Sequence, residues 1–146
     1  MSKTISRQRQ AIVEHLLISV SSDGVVLDED WQRLMTMLKT PQITHYFSAS
    51  FGNPEVTSVQ RKQAAEIFKI RGIKTAVVTD EVFVRGLVTA VSWLGANVQA
   101  FSWSDTSAAF KYLAVGPALE PRALSELGRL RFEVESAQRK LVAERP

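Results

Sequence analysis

The chain has 146 residues, 45% of them hydrophobic and 23% charged, with a formal net charge of +3 and no cysteine. This is the length of one domain with a single core, and it excludes disulfide scaffolds, thiolate nucleophiles and thiolate metal sites. No apolar run approaches the ~20 residues of a membrane span, and the opening MSKTISRQRQ lacks an apolar signal-peptide core, so a cytoplasmic protein without a membrane span is expected.

The positive charge gathers at the start, where Lys3, Arg7 and Arg9 stand among ten residues with no acid. A nucleic-acid binder carries its basic stripe on the folded domain. Residues 1–10 instead read as a basic arm, frayed or opening a short helix, and nucleic acid is not expected as a partner. Residues 14–20 predict a strand, Ser21-Ser22-Asp23-Gly24 a tight hairpin turn, and 25–27 a short return strand. Asp28 is placed as a helix N-cap, with Glu29 and Asp30 in the first turn, where the helix dipole favours negative charge. Trp31, Leu34, Met35 and Leu38 then recur on one face until Pro41 stops the helix.

Residues 43–51 predict the next strand and Gly52-Asn53-Pro54 a loop. A helix capped by Thr57 or Ser58 follows, burying Val59, Ala64, Ile67 and Phe68 and ending at Gly72. The apolar run Ala76, Val77, Val78 stops at Thr79-Asp80. Val84, Leu87, Val88, Val91 and Leu94 then fall at helical spacing up to Gly95. A strand over 98–101 leads to Ser104-Asp105 and another helix. Strand, helix, strand, helix is the unit that builds an open α/β sheet. Val77, Val78, Leu87, Val91, Phe101 and Leu113 are expected to share its core.

Gly116-Pro117 and Pro121 mark a boundary, beyond which 117–146 reads as a C-terminal amphipathic helix. Ala123, Leu127, Leu130, Val134, Ala137 and Leu141 repeat in steps of four and three, a heptad seam about three heptads long. Two packings are open to that seam: back onto the chain's own sheet, or against another helix. The expectation is a partner-binding or self-association element, with Leu127, Leu130, Val134 and Leu141 at the contact.

The order of elements over 11–116, the stretch KTAVVTD before an apolar helix, and the closing VQAFSWSDTSAAFKYL together resemble the SpoIIAA-like branch of the STAS superfamily. The resemblance implies a STAS-like mixed sheet flanked by helices. It also implies a non-enzymatic module acting through protein–protein contacts in bacterial signalling. Such domains carry a phosphorylated serine or threonine at the start of their second helix, within an Asp-Ser-Ser/Thr-Gly motif. The junction here, SASFGNPEVTSVQ, lacks it, and Thr57 and Ser58 are the residues nearest in position, each a candidate phospho-acceptor or helix cap.

Chemistry is sparse. His15 and His45 lie on separate predicted strands without a ligand motif. Asp80-Glu81 reads as the capped start of a helix, and an acidic pair there would repel a bound phosphate. No catalytic residue, metal site or cofactor is expected. Trp93 and Trp103 are candidate contact residues, since tryptophan is enriched at binding hot spots. The helix holding Val82, Phe83, Val84, Leu87, Val88, Val91, Trp93 and Leu94 has more apolar residues than one buried face needs. The expected function is a cytoplasmic protein-interaction module; the alternative is binding or sensing of an apolar small molecule.

Overall fold

A computed structural model describes residues 4–93 and 96–143, without the side chains at 87, 90–93 and 141–143. The expectations placed on Leu87, Val91, Trp93, Leu94, Gly95 and Leu141 therefore lie outside the described residues. In chain order the elements are β1 (Gln8–Val13), β2 (Leu16–Ser21), β3 (Gly24–Val25), α1 (Asp28–Leu38), β4 (His45–Ser50) and β5 (Pro54–Glu55). They continue with α2 (Ser58–Arg71), β6 (Lys74–Val78), α3 (Val82–Trp93), β7 (Val98–Phe101), a 3-10 turn (Trp103–Asp105), α4 (Thr106–Leu113) and α5 (Glu120–Ala143).

The fold is mixed α/β. Its main sheet has the order β1-β2-β4-β6-β7, with β1 antiparallel to β2 and every other pairing parallel. Parallel neighbours need crossovers, and right-handed crossovers in one direction place α1, α2 and α3 on one face. The period of two along a strand then sorts the side chains. Leu16, Ile18 and Val20 of β2, with Phe47, Ala49, Ala76 and Val78, meet Ala109, Phe110 and Leu113 of α4 and Ala123, Leu127, Leu130 and Val134 of α5. On the opposite face Leu17 and Tyr46 meet Leu34, Met35 and Leu38 of α1 and Ile67 of α2. β2 is buried on both faces, which is why it reads as an apolar run with Ser19 as its one buried polar residue.

The second face is the more polar one. Ser19 Oγ and Tyr46 Oη lie 2.6 Å apart, both residues buried. Burial raises the Tyr46 phenol above its ordinary value, against the opposing pull of hydrogen bonds from Ser19 and Ser48.

Several expectations are corrected. The last three residues of the basic arm are strand: residues 8–13 form the sheet-edge strand β1, and the hairpin turn is Glu14-His15, closing the pair Val13–Leu16. Glu14 takes the left-handed conformation there, φ 57°. Ser21–Gly24 is therefore not a hairpin. Gly24-Val25 instead runs parallel to Pro54-Glu55 in a separate two-stranded patch. Gly24 is required at that point, because its φ is +119° and a Cβ would strike the backbone carbonyl of Thr4. Val59 faces solvent rather than the core.

The seam of α5 takes the first of its two packings. Leu127, Leu130 and Val134 are buried against β1 and β2 in the same core as the strands, so they are not free as a contact surface. A heptad stripe fits a sheet as well as it fits a second helix, and the apolar faces of β1 and β2 had no other cover.

Candidate interaction surface at the carboxyl end of the sheet

The parallel strands β2, β4, β6 and β7 end side by side, and the loops that follow carry most of the polar and aromatic residues singled out in the sequence. Open α/β sheets bind ligands where the strand order reverses and adjacent loops part. Here the parallel strands run through the sheet in sequence order without reversal, and the loops tie to one another. The Asn53 amide donates to Asp23 Oδ1 at 2.7 Å. The Trp103 amide donates to Asp80 Oδ1 at 3.0 Å, and the Glu81 amide to Thr79 Oγ1 at 3.1 Å. Asp80 thus reaches across to the 3-10 turn rather than into the helix it precedes.

Trp103 is half-buried and held by its neighbours. Its ring stacks on Phe51 with centroids 4.6 Å apart and planes 6° from parallel. Its indole Nε1 donates to the Ser50 carbonyl at 2.8 Å. The Arg131 guanidinium of α5 sits 4.6 Å from the Trp103 ring and 4.8 Å from Phe51, and its Nε is 3.2 Å from Glu135 Oε1. A stacked pair contributes about 0.5–1.5 kcal/mol beyond its buried area, and an exposed cation–π contact about 0.5–1 kcal/mol. The packing role of Trp103 is therefore the one observed: it clamps the loops after β4 and β7 to α5. Phe51, its stacking partner, had only its place at a strand end to single it out.

Thr57 is the N-cap of α2. Its Oγ1 accepts from the Gln60 amide at 3.1 Å while Gln60 Oε1 accepts from the Thr57 amide at 2.9 Å, a complete capping box. Gln60 is buried and its Nε2 donates to Asp28 Oδ1 at 3.3 Å, which joins α2 to α1. Asp28 is therefore a tie between helices, and the N-cap position of α1 belongs to Leu27. Ser58 is exposed in the first turn of α2.

Two of the apolar residues of α3 come out on the surface. Val82 and Phe83, 73% and 76% exposed, form its first turn at the carboxyl end of the sheet. Val59 is exposed on the first turn of α2, at that same end. The sequence surplus suggested a second buried face, against the C-terminal helix, another subunit or an apolar ligand; among the described residues Val82 and Phe83 meet no such cover.

The two histidines meet at the opposite end. Their rings stand edge to face, 4.9 Å between centroids, and His45 Nδ1 is 2.8 Å from Thr44 Oγ1. Partial burial, then His15 and Lys74 nearby, lower the His45 imidazole below 6.5. Among the described residues no group of three or more His, Asp or Glu could hold a metal ion, and no helix is long and apolar enough to cross a membrane. Comparison with protein-family models, with curated proteins and with solved structures finds no match to this chain.

Proposed function

We propose that this chain is a non-enzymatic protein-interaction module of STAS-like architecture, acting in a cytoplasmic bacterial regulatory pathway and meeting its partner through the first turns of α2 and α3. The observation that carries the reading is the adjacent pair Val82 and Phe83, more than 70% exposed at the carboxyl end of the sheet. An aromatic and a β-branched residue side by side in solvent supply the apolar centre that a protein contact desolvates. The helix below them lies against β7 of the sheet. The STAS-like part of the reading rests on the sequence resemblance, and the mixed sheet with helix crossovers supplies an α/β frame for it.

A phosphoryl switch at Thr57 has weaker support, since its hydroxyl oxygen already caps α2. The test is a photo-crosslinking amino acid placed at position 83 and, as a control, at the equally exposed position 70 in the last turn of α2, in cells of the native host. A discrete protein adduct at 83 that is absent at 70, and lost when Val82→Asp is added, supports the reading. Adducts of equal pattern at both positions, or none at 83, overturn it.

A further inference from the structure

A second surface lies on the far side of the molecule, at the outer edge of β1. Among the described residues β1 pairs with β2 alone. The two-residue turn makes Val13–Leu16 a hydrogen-bonded pair, so by alternation the odd residues of β1 bond to β2. The bond from the Ser22 amide to the Arg7 carbonyl, 2.9 Å, keeps the same phase. The backbone groups of Gln8, Gln10 and Ile12 therefore point away from the sheet; the Gln8 carbonyl accepts from the Arg9 guanidinium at 2.8 Å, and the Gln8 N–H with the N–H and C=O groups of Gln10 and Ile12 is left as a template for another strand.

The charged side chains beside that template are basic in excess, three against one. Arg9 faces α5, and together with Phe132, Glu133, Arg139 and Lys140 it lines an open groove between β1 and the helix. Glu133 is already paired with Arg129, 3.2 Å away. Arg9, Arg139 and Lys140 have no carboxylate partner among the described residues. Phe132, 67% exposed, supplies an apolar wall to the same groove.

We propose that the outer edge of β1 takes up an extended acidic peptide as an added strand. Backbone bonds to Gln8, Gln10 and Ile12 would fix its register. Alternate carboxylates would lie against Arg9, Arg139 and Lys140, and an apolar side chain against Phe132. Charge complementarity selects this occupant over a second copy of the chain. A two-fold pairing of β1 with itself about Gln10 would set each Arg9 diagonally beside the other and bring like-charged grooves together.

The experiment uses the full chain and a fluorescent eight-residue peptide alternating aspartate with leucine, followed by anisotropy. A lysine–leucine peptide and a single-stranded oligonucleotide serve as competing probes. Acidic-peptide binding is expected to weaken at least tenfold in Gln10→Pro, because an outward N–H on an edge strand can be lost without harm to the fold. A comparable loss is expected in Arg9→Glu with Lys140→Glu, together with a flatter salt dependence. Amide exchange should slow at Gln8, Gln10 and Ile12 when the peptide is added. Undetectable acidic-peptide binding overturns the proposal, and so does binding that neither variant weakens. Tighter binding of the oligonucleotide or of the lysine peptide, or a concentration-dependent rise in mass of the free chain, overturns it as well.

Discussion

Replacing Leu130 by alanine tests whether α5 is part of the core. Leu130 is 1% exposed and packed among Leu127, Val134 and the strand residues Leu16, Ile18 and Val20. The change removes three carbons, and at about 0.8 kcal/mol per buried methylene the transfer loss is about 2.4 kcal/mol. A residual cavity of about 50 Å³ adds about 1 kcal/mol. The expected cost is thus about 3.5 kcal/mol, or roughly 7–14 °C in melting temperature for a domain of this size. Urea unfolding followed by circular dichroism should show a lowered midpoint with unchanged slope. Phe132→Ala, two residues away on the exposed side of the same helix, should stay within about 0.5 kcal/mol. Equal effects of the two substitutions, or a loss below about 0.5 kcal/mol at Leu130, would refute the packing of α5 on the sheet.

Tyr46→Phe should cost about 1–3 kcal/mol because it leaves the buried Ser19 hydroxyl without its partner. Adding Ser19→Ala should recover part of that loss, and strictly additive costs would mean the two groups are not coupled. His45 has a folded-state pKa below 6.5, so the unfolded chain binds the proton more readily. Its contribution is complete above pH 6.5 and declines as pH falls through 6.5 toward the folded value. The melting temperature of the wild type should therefore drop more between pH 8 and pH 5 than that of His45→Gln, and parallel curves would contradict this. Thr57→Ala should lose about 1 kcal/mol with the capping box, whereas Ser58→Ala should change stability by less than about 0.5 kcal/mol. A reversed order would move the cap by one residue.

What the sequence disclosed follows from where the physical signal is local. Thr57 with Gln60 three residues on, and Gly72 with φ 61° after the last helical turn, are complete within one segment. The faces of α1 and α5 were legible as stripes for the same reason. β1 was not, because an edge strand with one buried face turns only Ala11 and Val13 inward while Arg7, Gln8, Arg9 and Gln10 imitate a solvated arm. The pairing of Gly24-Val25 with Pro54-Glu55 depends on two distant loops brought together, as Asp23 and Asn53 are. The clamp of Trp103, Phe51 and Arg131 spans three elements, and no spacing within any one of them announces it.

The placement of α5 has a consequence for the order of events in folding. The last helix covers the first two strands, and single contacts close very long loops: Arg122 to Glu14 across 108 residues and Ser22 to Gln138 across 116. Loop closure of that length is an entropic cost borne before the contact is made, and topologies rich in such contacts fold slowly. During synthesis the β1–β2 hairpin emerges well before α5, and its apolar face, with Leu16, Ile18 and Val20, stays uncovered by that helix until residues 119–134 leave the ribosome. That interval is when the hairpin is open to chaperones and to misassociation. Substitutions on the inner face of α5 should therefore lower the yield of folded protein in cells by more than their equilibrium cost alone implies.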